Sequence, residues 1–387
     1  MITMIGWTVF SLAAYGLFGL YWYASLALFV LGLPLIWVAE GVKHKGLWER
    51  EKFHERMDYL EQLLCSYRRQ GMVSLALKDC LEIFAGRPLE NFLQEAIKGL
   101  EEGQEEKAFS GLEKNFGSRR MVLIHDFLLD LERRGGQGDR ALDILLTDLQ
   151  KLKNRVLLRQ GAKERLVDAY QKSMILAGLL AYCSGILVPS SILPQIRGNA
   201  WYQAGFVLLS LVCLLGNYLA KVYGYRGWQE EEAARGDWKV RRAYSLFLLR
   251  VCVNLTFLNS YQAIEAAKSP GLEKEKAKLL EDLNGDPGSV RPFMEFARTL
   301  GRPEVETGMR LLYAVREHGL EGLEGQIYGL LDHCNLVMED LEKNSSKASL
   351  LPLQLIRQVP MGLATLKIGL DLFLFLGISM QELQLFL

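Results

Sequence analysis

Lys367 and Asp371 stand inside an otherwise apolar run, at roughly 360–378, where charge is expensive. Four residues apart on a helix, the ammonium and the carboxylate share one face and can neutralise each other. Two kinds of chemistry fit such a pair. One is a polar contact between membrane spans, or a proton or ion path. The other is plain self-neutralisation, with snorkelling, in a helix packed against its neighbours. The plainer role is preferred, because a proton path needs further ionisable groups and the other apolar runs carry just Gln203 and Asn217.

Other residue types with chemical potential do not fall into working patterns. Gly135-Gly136-Gln137-Gly138-Asp139 has the glycines of a phosphate loop but lacks the closing Lys-Ser/Thr, so it reads as a helix-breaking turn. His54-Glu55 has no second histidine at zinc-protease spacing, and His44, His125, His318 and His333 are scattered. Glu101, Glu102, Glu105 and Glu106 read as a solvated helix face. The six cysteines include no CxxC pair, and Cys183 and Cys213 lie in apolar blocks as small hydrophobes. The expectation is a protein that catalyses nothing itself and carries no cofactor or metal.

The elements that must hold these residues follow from how charge is distributed. The 387 residues carry 45 basic and 45 acidic side chains, a balance that gives no reason to expect nucleic acid as a partner. Apolar residues gather in long blocks, with charge filling the stretches between. No charged side chain occurs from Met1 to Ala39. A helix of that length would measure about 58 Å against a hydrocarbon core of about 30 Å. Either two spans turn near Gly19-Leu20-Tyr21-Trp22 or one tilted span overhangs, and the hairpin is preferred. A second block runs from Ser173 to about Ala220, interrupted at Pro189 and at Pro194, so that each half can cross once.

Flanking charge sets the orientation. Lys151, Lys153, Arg155, Arg159, Lys163, Arg165 and Lys172 precede the second block, and Lys221, Arg226, Arg235, Lys239, Arg241 and Arg242 follow it. The loop inside it has just Arg197, which puts both charged regions in the cytoplasm. The expected architecture is all-α and multi-pass, with two related cytoplasmic helical-bundle repeats. Residues 1–39 form an N-terminal hairpin or single span, 40–172 the first bundle, and 173–223 a transmembrane hairpin. Residues 224–350 form the second bundle and 351–387 a C-terminal transmembrane segment.

The two charged regions read as helix throughout, with apolar steps such as Leu60, Leu63, Leu64, Tyr67 and Leu123, Phe127, Leu131. They also align with each other. Leu89, Leu100 and Gly136 recur as Leu272, Leu283 and Gly319, each 183 positions on (272 − 89). Breaks are expected at Gly86-Arg87-Pro88, Gly117-Ser118, the 135–138 glycine run and Gly285-Asp286-Pro287-Gly288. A duplicated helical unit accounts for the pattern.

Specific residues tie this arrangement to a family. Leu64-Cys65-Ser66-Tyr67-Arg68-Arg69-Gln70-Gly71 leads into Ser74-Leu75-Ala76-Leu77. Leu131-Glu132-Arg133-Arg134-Gly135-Gly136 precedes Ala141, Leu142 and Leu145, and the second repeat offers Arg316-Glu317-His318-Gly319. In this order, over about residues 55–380, the chain resembles the type II secretion system F family, the inner-membrane platform proteins of type II secretion and of type IV and tight-adherence pili. The apolar N-terminal block is closest to the tight-adherence branch. The sequence departs from the family pattern in its eroded second repeat and its polar last span. The resemblance implies a platform in the cytoplasmic membrane that self-associates, contacts a cytoplasmic secretion ATPase and engages pilin-like subunits, with a possible sister platform protein. It singles out Gly71, Glu132, Gly135, Gly136, Leu142, Glu317 and Gly319 as structural or interaction positions, beside Lys367 and Asp371. The competing expectation is a small-solute transporter or channel with cytoplasmic regulatory bundles.

Overall fold

The computed structural model describes residues 2–117, 119–134, 139–226, 237–255, 258–318 and 324–386. Among these, every regular element is a helix and no strand occurs. The chain opens with α1 (Ile2–Phe18), turns over residues 19–21, and enters α2 (Trp22–Gln70). Short helices follow: α3 (Val73–Ile83), α4 (Glu90–Glu101), α5 (Glu105–Ala108), α6 (Ser110–Phe116) and α7 (Arg119–Arg134). Then come the long α8 (Asp139–Ile186), the single-turn α9 (Leu193–Gly198) and α10 (Ala200–Tyr225). A second run of shorter helices comprises α11 (Asp237–Leu255), α12 (Ser260–Ala266), α13 (Glu273–Gly285), α14 (Arg291–Leu300) and α15 (Pro303–His318). The last helix is α16 (Glu324–Phe386).

Helix length follows the sequence punctuation. The chain leaves helix at Gly86-Arg87-Pro88, at Gly117 and at Asp286-Pro287-Gly288, where glycine and proline interrupt the apolar period. Asn199 caps α10, its side-chain oxygen accepting from the Trp201 amide at 2.8 Å, and Asn259 caps α12 by accepting from Gln262 N–H at 2.9 Å.

Among the described residues, three helices are long and apolar enough to cross a membrane: α2, α10 and, over Leu350–Gln381, α16. The apolar end of α8, residues 173–186, rises about 21 Å, short of a hydrocarbon core. Large apolar side chains face outward on these helices: Trp37 is 69% exposed and Phe373 73%. Water-soluble chains seldom carry such continuous apolar surface, whereas lipid accommodates it.

The residues divide into two compact units. The first takes Met1–Arg50, Leu157–Trp228 and Ser346–Leu387. Its core joins Trp7, Ala14 and Phe18 of α1 to Leu28 and Ile36 of α2 and to Phe206 and Leu214 of α10. A second cluster packs Val167 and Tyr170 of α8 against Ala220 and Leu353. The buried Lys221 is paired, donating to Glu40 at 2.5 Å.

The second unit takes Glu51–Val156 and Gln229–Ser345, so both charged stretches share one body. Tyr59, Leu60, Leu63, Leu77 and Phe84 are fully buried in its first half, and Tyr244, Phe247 and Phe293 in its second. The halves meet where Lys268 pairs with Asp126 at 2.6 Å. Inside the first half, His125 Nε2 lies 3.0 Å from the Tyr59 hydroxyl and its Nδ1 3.0 Å from Glu113 Oε1. The Phe109 ring stacks on the imidazole at 3.9 Å. This bonding links α2, α6 and α7 through one ring.

Burial pushes the His125 pKa down, and the Glu113 carboxylate only partly offsets this. The folded state therefore binds fewer protons at this site than the unfolded chain, whose histidine titrates near pH 6.5. The stability that depends on His125 is fully present above about pH 6.5 and is lost as pH falls below it. Thermal melting of the purified protein at about pH 8 and about pH 5.5 should show a lower midpoint in acid. His125→Gln should flatten that difference.

Candidate functional site

Two groups of side chains gather the residues that the sequence singles out. The first lies where α8 and α16 run side by side. Lys367 and Asp371 are each 4% exposed. The ammonium donates to the carbonyl of Ala181 at 3.0 Å, to Ser184 Oγ at 3.0 Å and to Asp371 Oδ2. All three of its donors are used. The Phe18 and Tyr202 rings flank it, their centroids 5.9 and 5.5 Å from Nζ. Ser184 Oγ lies 2.9 Å from Asp371 Oδ2 and 2.8 Å from the Ala181 carbonyl, so its single proton serves one of the two. Asp371 Oδ1 is buried with no partner among the described residues.

One helical turn per step fixes how these contacts arise. Ser173 Oγ lies 2.8 Å from the Tyr170 carbonyl of its own helix and 3.3 Å from the Arg357 carbonyl, so its single proton serves one of the two, and eleven residues later on α8 Ser184 meets Lys367. Residue numbers rise together on both helices, so α8 and α16 are parallel over this stretch. Lys367 and Asp371 project from consecutive turns of α16 toward the same face of α8. Tyr202 donates to the Phe18 carbonyl at 3.0 Å, and Gln203 binds the α1–α2 turn through Tyr21 N–H at 2.9 Å and the Gly19 carbonyl at 3.2 Å. Polar groups thus concentrate at the end of the first unit that holds the short loops.

A serine beside a lysine invites comparison with a Ser-Lys catalytic pair. Here the lysine donates to the hydroxyl and is tied to a carboxylate, the reverse of what a base requires. Ser184 also sits within α8, where backbone amides bond inside the helix and none is left to stabilise an oxyanion. The arrangement binds two helices together. Ser184 was not among the sequence candidates. Its signal was a hydroxyl inside an apolar run, but serines in such runs commonly bond their own backbone, as Ser184 also does.

The second group is a helix junction in the second unit. Gly71 ends α2 with φ +70°, and its N–H donates to the Tyr67 carbonyl at 2.8 Å. That left-handed conformation strains any residue with a Cβ. α3 then begins with no cap from Met72. Glu132 of α7 takes that role, accepting from the Val73 amide at 3.1 Å, where its charge also meets the positive end of α3. Leu142 is buried, and Arg68 near the end of α2 pairs with Asp143 at the start of α8. Gly71, Glu132 and Leu142 thereby fix how α2, α3, α7 and α8 meet. Glu317 is exposed near the end of α15, apart from both groups. Gly135, Gly136 and Gly319 lie outside the described residues. Among the described residues, no three His, Cys, Asp or Glu side chains converge as a metal site.

Removing one partner of the buried pair leaves the other charge uncompensated, at a cost of about 3–5 kcal/mol. Lys367→Met and Asp371→Asn should each lower the unfolding midpoint in detergent, whereas Lys367→Met with Asp371→Leu should recover most of the loss. A double variant as unstable as the singles would show that the pair does not act as one unit. The chain matches no known family, no curated protein and no solved structure.

Proposed function

We propose that the chain is the inner-membrane platform of a pilus-assembly or type II secretion machine. In this role it couples a cytoplasmic ATPase to the assembly of pilin-like subunits. The observation that carries the proposal is an order of elements that recurs along the chain. α4 and α13 begin 183 residues apart (273 − 90), matching the shift between the aligned leucines. The left-handed glycines Gly117 and Gly301 lie 184 apart (301 − 117). α7 and α15, the helices that follow them, are each 16 residues long and also begin 184 apart (303 − 119). Each series ends in a long helix, α8 or α16, that passes from charged to apolar sequence. This supports a duplicated cytoplasmic unit wired twice into the membrane, as the family resemblance implies.

Within that function, Gly71, Glu132 and Leu142 hold the first repeat in shape. Glu317 and Gly319 are their counterparts by sequence in the second repeat. The positive flanks of the apolar segments favour a cytoplasmic location for both repeats. With no phosphate-loop sequence of its own, the platform takes conformational work from the ATPase, and the two long helices lead from the repeats to the spans. It acts as an oligomer, with or without a sister platform protein.

Deleting the gene should abolish the pilus or the secreted product. Leu142→Asp, which places a carboxylate in the first-repeat core, should do the same while the protein still reaches the membrane. Crosslinking in native membranes should capture a secretion ATPase. Normal assembly in the deletion strain would end the proposal. A second function, transport of a small solute, is favoured by one observation, the unpartnered Asp371 oxygen inside the apolar unit. Uptake into liposomes that is lost in Asp371→Asn would establish it instead.

A further inference from the structure

We infer that a second copy of this chain docks head to tail on the second unit, with α15 of one copy lying on the corner that the end of α2 makes with α3 in the next. The inference rests on the duplication in the proposal above and not on the secretory role. Its geometry comes from a contact inside the chain. Where the halves of the second unit meet, α7 gives and the end of α12 receives. Asp126 of α7 pairs with Lys268, just after α12, at 2.6 Å. Leu123 and Phe127 of α7 line one small cavity there together with Val253 of α11 and Ala267.

Both sides of this contact have counterparts in the other half. Met121, Leu128 and Leu131 of α7 are buried, as are Val305, Leu312 and Val315 of α15, each 184 positions on (305 − 121). Ala76 and Cys80 of α3 are buried, as are Ala263 and Ala267, each 187 on (263 − 76). A twofold contact would place α15 on α3 as α7 lies on the end of α12. It does not. Thr307 and Arg310, in the places of Leu123 and Asp126, are exposed, and so is Glu82, beside the place of Lys268. Each side of the contact therefore has an unused counterpart, and a second molecule brings the two together.

Charge says which faces meet. Inside the chain an acidic face of α7, with Asp126 and Asp130, meets a lysine. On the unused pair the signs are exchanged. Arg310 holds the place of Asp126 (310 − 126), and Glu82 adjoins Leu81, which holds the place of Lys268 (268 − 81). Lys78 and Asp79 on the same helix are already matched, by Glu101 at 2.9 Å and by Arg69 at 2.5 Å. Glu82 forms no ion pair among the described residues. Arg310 bonds Glu306 of its own helix at 2.8 Å, an exposed pair that costs little to part. The exchange also bars the wrong match, because α15 of a second copy would set Arg310 against Lys268 if it displaced α7. The contact is small, and a shared bilayer raises the effective concentration of its two faces.

The test uses the full-length protein with donor or acceptor fluorescent-protein tags, reconstituted in phosphatidylethanolamine–phosphatidylglycerol liposomes and read by energy transfer. Wild-type copies should associate, with transfer abolished by excess untagged chain. Arg310→Glu or Glu82→Lys alone should raise the protein density needed for half-maximal transfer about tenfold. Thermal midpoints should stay unchanged, because both side chains are exposed. Donor-tagged Arg310→Glu mixed with acceptor-tagged Glu82→Lys should recover transfer, since each altered face then meets its complement in the other copy. Wild-type copies that stay apart overturn the inference, as do single variants that associate like the wild type. A mixture no better than its components does the same. Normal pilus assembly or secretion in the deletion strain ends the platform and leaves this contact standing, whereas association that ignores the charge changes ends the contact and leaves the platform.

Discussion

An ammonium group surrounded by apolar side chains must have every donor met, and that requirement governs the first unit. Lys367 cannot satisfy itself through Asp371 alone, because one carboxylate oxygen leaves two N–H groups unpaired. The remaining acceptors come from α8: the Ala181 carbonyl, which is open because hydrogen-bonded helix carbonyls keep a second lone pair, and the Ser184 hydroxyl. The pair therefore fixes a register. Sliding α16 by one residue would turn Lys367 about 100° away from α8 and leave a charge facing hydrocarbon. Dispersion between apolar helices gives no comparable discrimination, since lipid tails match Leu and Ile side chains nearly as well. Polarity here supplies specificity that packing lacks.

The same register shapes the space around it. Where α8 and α16 run side by side below the Lys367–Ser184 contact, the residues at 177, 178 and 364 are small. Close packing would need bulk at those positions. The second unit uses the same device in a different setting. Glu132 and His125 each bring a polar atom from α7 to another helix, at the start of α3 and at Tyr59 of α2. Buried hydrogen bonds set the angles, and leucines fill in behind.

Much of this is legible in the sequence. The breaks at Gly86-Arg87-Pro88, Gly117 and Asp286-Pro287-Gly288 fall between helices because glycine and proline act locally, through φ and a missing donor. The all-helical class was readable for the same reason, since the apolar period survives within each short segment. What the sequence could not show is which polar atoms meet. Ser184 lies 183 positions from Lys367, and nothing in its neighbourhood distinguishes it from Ser173 or Ser210. In the sequence His125 is one of several scattered histidines, yet it is buried between Glu113, 12 positions before it, and Tyr59, 66 positions before it. In the sequence Glu132 stands out by its place in a motif. Its physical role, capping a helix that lacks its own cap, depends on a fold that brings α7 to α3.

For the proposed platform, the parallel pair has a mechanical consequence. Two bonds from Lys367, to the Ala181 carbonyl and to Ser184, join α8 to α16, and eleven residues earlier on α8, about 16 Å away, Ser173 Oγ approaches the Arg357 carbonyl at 3.3 Å. A single contact would act as a pivot. Two contacts at different levels resist both rotation and sliding, so a displacement that reaches either helix moves both. Separating them would strand the Lys367 charge in an apolar environment, a penalty far larger than that of parting leucines. Within the first unit, the apolar ends of α8 and α16 would then behave as one strut rather than as two independent helices.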